Sequence, residues 1–378
     1  MLAAALRALG TLLLGAPYHR LPPALPPLCV RALVGCLAGT TPPVGPGALS
    51  AEQLPVASAC LACLAAVFSS KAAAAAAAEQ LLAPAGGAAE AGPCSNAAGE
   101  PPGGSGAHLL QLLFAYAACQ HPALQLEALM ALRGVAQQHV ALLQGCWERL
   151  LSLGRAGAAL PTPPVPQSPR SQQGAPMHDC PAPTGGGRLV CTPAEPLARD
   201  CVNRYRIMLC RLLPAGAADG TVPEKIAQQS VRLPGDYLQA TGEAAEAAAA
   251  AAAQPAVSSP VAAQLHGGQA AGAAAAAAGA AQGAAEQWQQ LADEVLAAAV
   301  QHSSALLRAA AHAVIAALSP AAYAALATPL QRQLLAWCCS GMTGDEASPV
   351  RAAAAKAVGA VAASPALCAL PGGERVVL

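Results

Sequence analysis

Five segments of this 378-residue chain repeat one amphipathic pattern, and that repetition limits the possible folds more than any other feature. The pattern is an apolar residue, Arg, two free positions, Ala, two free positions, Ala and a second apolar residue. We number the first apolar residue position 1, so the small residues occupy positions 5 and 8. This spacing puts them on one face of an α-helix. The pattern occurs at Val350–Val358 and, with substitutions, at Met1–Leu9, Val56–Leu64, Leu124–Leu132 and Leu307–Ile315.

A second amphipathic segment precedes each of the four later copies, at 24–38, 108–119, 286–301 and 330–341. Each combination predicts two antiparallel helices, with the small residues letting neighbouring helices approach closely. The last two copies begin 43 residues apart, which is within the usual period of HEAT-type repeats. The sequence therefore predicts an all-α fold: a HEAT/armadillo-like α-solenoid of antiparallel helix pairs, interrupted by disordered low-complexity insertions.

The insertions are predicted from composition. Alanine accounts for 102 residues, and Gly and Pro contribute 35 and 34. Stretches rich in Gly, Pro, Ser and Gln cannot bury enough apolar area to become ordered, and polyalanine forms helices without large side chains to pack. The predicted organisation is N-terminal HEAT-like helices (1–83), a flexible linker (84–104), a HEAT-like repeat (105–154), a Pro/Gly-rich disordered linker (155–200), an isolated helix (201–213), an Ala/Gly/Gln-rich insertion (214–285) and two C-terminal HEAT-like repeats (286–370).

Three segments carry a more specific resemblance. Residues 6–25 (LRALGTLLLGAPYHRLPPAL) combine a helix with a Pro-Tyr-x-Arg-Leu-Pro turn, and 124–147 (LQLEALMALRGVAQQHVALLQGCW) combine a Leu-Glu-Ala-Leu helix, a loop and a Trp. Residues 286–370 add SALLRAAAHAVIAALSP, RQLLAWCC and SPVRAAAAKAVGAV. These segments resemble the HEAT repeat-containing protein 6 family. The resemblance implies an armadillo-like helical repeat protein that works in protein interaction, and it assigns no active site. Residues 201–213 match that family poorly, and the resemblance implies further repeats after 370.

The cysteines and the apolar segments bear on the compartment. Most of the 14 cysteines fall inside helical patterns, which is typical of small buried residues in a reducing compartment and not of a disulfide framework. No stretch joins about 20 strongly apolar residues, so we expect no transmembrane helix and no membrane partner. We expect an intracellular protein of the cytoplasm, the nucleus or both. Residues 1–16 also fit a targeting peptide, although Arg7 interrupts their apolar run.

Residues that could hold a metal or carry out catalysis are scarce. The chain has no Gly-x-Ser-x-Gly elbow, no phosphate loop, no His-Glu-x-x-His and no dinucleotide fingerprint. The best metal candidates have zinc-ligand side chains, but their spacing fits no compact zinc module: His178, Cys180, Cys191 and Cys201. We therefore predict no catalytic, cofactor-binding or metal-binding residues and no cofactor.

Other residues that could suggest chemistry fit the repeat helices better. Cys60-x-x-Cys63 has the spacing of a redox pair, yet both residues occupy small positions of a repeat copy. Arg308 and Arg351 share position 2, and we expect Arg351 to bind Asp345 or Glu346. We interpret His302 and His312 as ordinary helix residues. We interpret Trp147, Trp288 and Trp337 as residues that pack between repeats.

These observations favour a non-catalytic scaffold that binds one or more other proteins. The alternative is a helical-repeat protein that binds RNA, which needs regular repeats and a basic stripe. The 20 basic and 20 acidic residues balance and the spacings are irregular, so we expect no nucleic acid partner. An enzyme is not expected. The identity of the protein partner and the oligomeric state stay open.

Overall fold

Four of the five pattern segments lie wholly in α-helices of the computed structural model, and the fifth, Met1–Leu9, lies in one from Leu2 onward. The structure describes residues 1–16, 18–22, 24–40, 49–50, 52–70, 73–75, 105–159, 221–253 and 282–364. By its contacts the chain divides into Met1–Pro161 with Thr221–Leu378, and Thr162–Gly220, and every described residue belongs to the first of these units. The predicted linker at 84–104 and the predicted helix at 201–213 lie outside the described residues.

The described part of the chain is all-helical and contains no β-strand, which confirms the predicted class for these residues. Two short 3-10 turns occur at Tyr18–Arg20 and Val140–Leu143. The helices are α1 (Leu2–Gly15), α2 (Leu25–Ala38), α3 (Gln53–Phe68), α4 (Ser105–Ala117), α5 (Pro122–Gln138), α6 (Trp147–Ala158), α7 (Thr221–Ala253), α8 (282–300, with a π-turn at Ala292–Leu296), α9 (Ala305–Ile315), α10 (Pro320–Ala325), α11 (Thr328–Gly344) and α12 (Ser348–Ala362). None of them is both long enough and apolar enough to cross a bilayer.

The helices pack in a regular order. Helices α1, α3, α5, α7, α9 and α12 form a series in which each contacts the next, and we call this series the repeat row. Each remaining long helix contacts the member of the row that follows it in sequence: α2 with α3, α4 with α5, α6 with α7, α8 with α9, and α11 with α12. Five of the six helices in the row carry the sequence pattern, and the predicted preceding segments form α2, α4, α8 and α11.

The same pattern positions are buried in four of the five pattern helices. Residues at positions 5, 8 and 12 of the copies in α3, α5, α9 and α12 are no more than 4 % exposed, and position 12 of the α9 copy lies just after the end of that helix. These residues are Cys60, Cys63, Val67, Ala128, Ala131, Val135, Ala311, Val314, Leu318, Ala354, Ala357 and Val361. Glycines also lie where neighbouring helices of the repeat row meet. A Cβ added to Gly10 of α1 would lie 3.2 Å from the Cys63 sulfur, and one added to Gly134 of α5 would lie 2.9 Å from the Phe68 Cβ. The repeat helices therefore pack as closely as their small residues predict.

The structure corrects the expectation of a low-complexity insertion over 214–285. Residues 221–253 form α7, which fills the place in the repeat row between α5 and α9. Its first half is buried through residues that recur at helical spacing: Ile226, Ala227, Ser230, Val231, Leu233, Tyr237 and Leu238. Residues 282–285 likewise belong to α8. The buried residues in the first half of α7 provide a packing surface, which the polyalanine run in the second half of that helix lacks.

A Pro-Gly step lies in the middle of α7, where the neighbouring helices α6 and α9 pass close to it. A Cβ added to Gly154 of α6 would lie 3.1 Å from the Pro234 ring, and one added to Gly235 would lie 2.5 Å from Val314 of α9. The proline lacks an N–H and so removes one backbone hydrogen bond of the helix. The tight contacts on both sides offset this loss, because close packing of buried apolar atoms stabilises the folded chain.

The structure also moves one predicted boundary. The Pro/Gly-rich linker was expected to begin at residue 155, but residues 155–158 form the last turn of α6. Gly157 and Ala158 are buried there, and a Cβ on Gly157 would lie 2.6 Å from the Ser230 Cβ of α7. The glycines that suggested a linker instead let α6 and α7 approach each other.

Candidate interaction surface

The Cys60 and Cys63 thiols lie in the core between helices. Both are fully buried, and the Cys63 sulfur donates a hydrogen bond to the Leu6 carbonyl of α1 at 3.0 Å. Burial raises the pKa of the Cys60 thiol to about 12, and the neighbouring thiols of Cys36 and Cys63 add to the rise. None of the eight cysteines in the described part forms a disulfide. Because the thiolate is the reactive form, this arrangement disfavours redox chemistry at the pair.

We expect iodoacetamide to leave Cys60, Cys63 and Cys338 unmodified in the folded protein at about pH 8, because all three are buried and thiols react as thiolates. In guanidinium chloride the same three residues should be modified. Peptide mass spectrometry after a short exposure measures both states. Rapid alkylation of Cys60 in the folded protein would contradict this prediction and support a reactive pair.

The residues considered as metal ligands do not form a site in the described part. His178, Cys180, Cys191 and Cys201 lie outside it. Among the described residues no group of three or more His, Cys, Asp or Glu side chains is placed to hold a metal ion.

The two histidines near the last repeats have separate structural surroundings. The His302 Nδ1 atom accepts a hydrogen bond from the Ser304 N–H at 3.0 Å, at the turn before α9. His312 is 2 % exposed and its Nδ1 atom has no hydrogen-bond partner in the structure. Burial lowers the pKa of His312; the Asp345 carboxylate opposes that shift, and the Arg308 guanidinium adds to it. His312 is therefore a neutral core residue of α9.

This lowered pKa predicts a loss of stability in mild acid. Below about pH 6.5 the unfolded chain binds a proton at His312 before the folded chain does, so the free energy of unfolding falls as the pH falls toward the folded pKa. His139, whose pKa burial also lowers, acts in the same direction. Thermal unfolding at about pH 7.5 and about pH 5.5 should show a smaller decrease in Tm for His312→Gln than for the unchanged protein. An equal decrease in both would show that His312 does not contribute.

An arginine side chain joins the last two repeats. Arg308 of α9 donates to both carboxylate oxygens of Asp345, from Nε at 2.6 Å and from Nη2 at 3.0 Å. Its Nη1 group donates to the carbonyls of His302 and Ser303, at 2.8 and 2.7 Å. Asp345 lies before α12, so this ion pair links one repeat to the turn of the next. The Arg308 hydrogen bonds hold the pKa of the Asp345 carboxyl below its usual range.

Arg351 has the same relation to the turn before its own helix. It donates to the carbonyls of Asp345 and Glu346 at 2.9 and 2.8 Å, which lie six and five residues before it, as His302 and Ser303 do before Arg308. Arg351 therefore contacts the two expected residues, but through their backbone carbonyls, and the expected pairing with an acidic side chain is not what the structure shows. The Asp345 carboxylate instead binds Arg308 of α9, because Asp345 lies just before α12 and α12 packs against α9.

Two of the three tryptophans connect helices, as their positions predict. The Trp147 indole N–H of α6 donates to the Gln290 side chain of α8 at 2.7 Å, and its ring lies 6.0 Å from the Tyr237 ring of α7. Trp288 is only 2 % exposed. Trp337 is partly buried on α11. The first two therefore pack between repeats.

A small cleft lies among α7, α8 and the turn after α9. It has a volume of about 30 Å³ and is lined by Leu238, Gly242, Trp288, Leu318 and Ser319. This volume is of the order of a single water molecule. The cleft is too small for an organic substrate.

The most distinctive exposed region in the described part is apolar. Leu12 is 69 % exposed, Leu2 and Leu28 are each 54 % exposed, and Leu25 is 40 % exposed. Leu2 and Leu12 lie on α1, where Ala5 and Ala8 are also exposed, and Leu25 and Leu28 lie on α2. The sequence alone does not reveal the exposure of Ala5, Ala8 and Leu12, because the same pattern positions are buried in the other pattern helices.

No protein-family model matches this chain, and no curated protein sequence matches it.

Proposed function

We propose that this chain is a non-catalytic scaffold, an α-solenoid of HEAT/armadillo type that binds other proteins through its helix surfaces. The observation that carries the proposal is the repeat row. Six helices contact one another in series, and the same three pattern positions are buried in α3, α5, α9 and α12. Such nearest-neighbour packing of similar units is typical of solenoids, which use their extended surfaces for binding.

The chemistry of the described residues fits a scaffold better than an enzyme. The thiols and His312 are buried in packing positions, the arginines bind turns, and the cleft lined by Trp288 holds about 30 Å³. The three resembling segments further support membership of the HEAT repeat-containing protein 6 family. We propose an intracellular location, in the cytoplasm or the nucleus, on the basis of cysteine usage.

A tagged full-length chain, recovered from native lysate with and without RNase, tests this function. We expect at least one protein to be recovered in stoichiometric amount in both samples and to be absent from a tag-only control. Loss of the recovered protein after RNase treatment would contradict the proposal and favour the RNA-binding alternative. Recovery of no protein above the tag-only control would also contradict it.

A further inference from the structure

A serine followed by a proline lies at the turn between α9 and α10. The backbone of this serine, Ser319, is extended, with φ −69° and ψ 153°, and its bond to Pro320 is trans. Ser319 is partly exposed, and Pro320 and Ala321 after it are exposed. Proline-directed protein kinases bind a Ser-Pro pair in an extended conformation with a trans proline. The turn therefore presents Ser319 in the backbone conformation that such a kinase binds.

The sequence contains four other Ser-Pro pairs, and the two serines among them that the structure describes are presented differently. Ser364 is 1 % exposed, and its hydroxyl donates a hydrogen bond to the Pro320 carbonyl at 3.0 Å. Ser348 is exposed, but it is the first residue of α12 and so belongs to a helix. Ser168 and Ser259 lie outside the described residues. Ser319 is therefore the described Ser-Pro serine whose backbone best suits a kinase.

The Ser319 hydroxyl joins the turn after α9 to the second half of α7. It donates its proton to the Oε1 atom of Glu246 on α7 at 2.8 Å, and it accepts a hydrogen bond from the Ala322 N–H at 3.2 Å. The bond from Ala322 is the N-cap of α10. The bond to Glu246 connects residues 73 positions apart in the sequence. The two bonds thus have separate roles, one within α10 and one between helices.

The charges around Ser319 are negative. Glu243 lies one turn before Glu246 on α7 and lines the same small cleft as Ser319. The residues that line this cleft include no Lys or Arg. Arg308 is the only Lys or Arg between positions 233 and 331 of the sequence, and its guanidinium is held in the ion pair before α12. A phosphate on Ser319 would therefore face carboxylates without a basic side chain to offset them.

We propose that Ser319 is a phosphorylation site for a proline-directed kinase, and that its phosphate separates the second half of α7 from the turn after α9. The kinase transfers the γ-phosphoryl group of ATP. The bond between that phosphorus and the β,γ-bridging oxygen breaks, a bond to the Ser319 Oγ atom forms, ADP leaves, and the hydroxyl proton passes to a base of the kinase. This inference goes beyond the scaffold function and does not depend on it.

Phosphorylation turns the contact with Glu246 from attraction into repulsion. The hydroxyl loses the proton that it donates, and a group with a charge of about −1.5 to −2 then faces the carboxylate. The Ala322 N–H can still donate to an oxygen of the phosphoserine, so α10 keeps its cap. The repulsion therefore acts on α7. After Gly242 that helix consists of Ala and Glu, so it has no large apolar side chain with which to resist the separation.

A purified cyclin-dependent or MAP kinase with ATP tests the site on the full folded chain. We expect peptide mass spectrometry to find phosphate on Ser319, and none at that position in Ser319→Ala. A synthetic peptide of residues 312–327 gives the rate for a fully accessible substrate. Leu318 is only 3 % exposed, so the turn must open locally for the kinase, and we expect the chain to react up to about tenfold more slowly than the peptide.

Two variants test the consequence without a kinase. Ser319→Asp and Ser319→Asn both supply an N-cap for α10 and differ by one negative charge. Hydrogen exchange of the peptide covering residues 236–246 reports opening of α7. We expect exchange about three- to tenfold faster in Ser319→Asp than in Ser319→Asn, and faster again in the phosphorylated chain. In a Glu243→Gln/Glu246→Gln background the difference between Asp and Asn should disappear.

Four outcomes would overturn the proposal. The kinase may modify the peptide and leave Ser319 of the folded chain unmodified, so that the turn is not a site. Phosphorylation may leave exchange over residues 236–246 unchanged or make it slower. Ser319→Asp and Ser319→Asn may exchange alike. Finally, a faster exchange that persists in Glu243→Gln/Glu246→Gln would show that repulsion by these carboxylates is not the cause. None of these outcomes bears on the recovery of partner proteins from lysate, which tests the scaffold function separately.

Discussion

Replacing Gly235 with alanine is expected to lower the free energy of unfolding by about 2 kcal/mol, with a corresponding fall in Tm. The new Cβ would lie 2.5 Å from one γ-carbon of Val314 and 2.9 Å from the other. The new methyl group and the short Val314 side chain cannot bend away from each other, so α7 and α9 must separate. This separation disturbs the contact between the fourth and fifth helices of the repeat row. Denaturant unfolding of the full chain, followed by circular dichroism, measures the change.

Gly242→Ala in the same helix is the matched control. No atom lies within 4 Å of the Cβ it would add, so the change should stabilise α7 by about 0.5–1 kcal/mol through helix propensity alone. The double variant Gly235→Ala/Val314→Ala should recover part of the loss, because the smaller residue makes room for the new methyl group. Stabilisation by Gly235→Ala would show that α7 and α9 do not pack as described.

Arg308→Ala is expected to cost about 3 kcal/mol of the free energy of unfolding. The Arg308 and Asp345 side chains are only 19 % and 9 % exposed, and they share two hydrogen bonds. Removing the guanidinium leaves a mostly buried carboxylate without its counterion. It also leaves the His302 and Ser303 carbonyls without their side-chain donor. The turn before α9 and the junction with α12 should therefore weaken together.

Arg351→Ala separates the effect of the ion pair from the effect of the hydrogen bonds to turn carbonyls. Arg351 is exposed and binds only turn carbonyls, so its removal should cost about 1 kcal/mol or less. A double-mutant cycle of Arg308→Ala with Asp345→Asn isolates the ion pair, and we expect a coupling free energy above about 1 kcal/mol. If Arg308→Ala and Arg351→Ala lower the free energy of unfolding equally, or if Arg308 shows no coupling to Asp345, the ion pair with the Asp345 carboxylate does not stabilise the protein beyond the turn contacts.

Much of the helical arrangement could be predicted from the sequence, because burial on one side of a helix imposes a period that a single chain displays. Positions 5 and 8 of the pattern marked the buried residues of α3, α5, α9 and α12, such as Cys60 and Ala354. The preceding amphipathic segments marked α2, α4, α8 and α11. The position-2 arginines marked the turn contacts, although not which of them takes the Asp345 carboxylate.

Helix α7 could not be predicted in this way. It departs from the pattern, it contains Pro234 and Gly235, which weaken a helix in isolation, and it runs into polyalanine, which has no large side chains to pack. Its stability comes from α5, α6 and α9. The Arg133 guanidinium of α5 binds its Asp236 carboxylate at 2.5 Å, and Gly154 and Val314 fit against its Pro-Gly step. These contacts join residues far apart in sequence, so no local pattern reveals them.

The sequence by itself determined which segments are helices of the repeat type and which of their faces are apolar and small, because these follow from spacing and side-chain size. Only the tertiary structure decided which of those faces are covered. Leu12 and Val67 occupy the same pattern position and differ little in chemistry, yet one is 69 % exposed and the other is fully buried. Burial depends on whether another helix lies alongside, and that is a property of the neighbours and not of the residue.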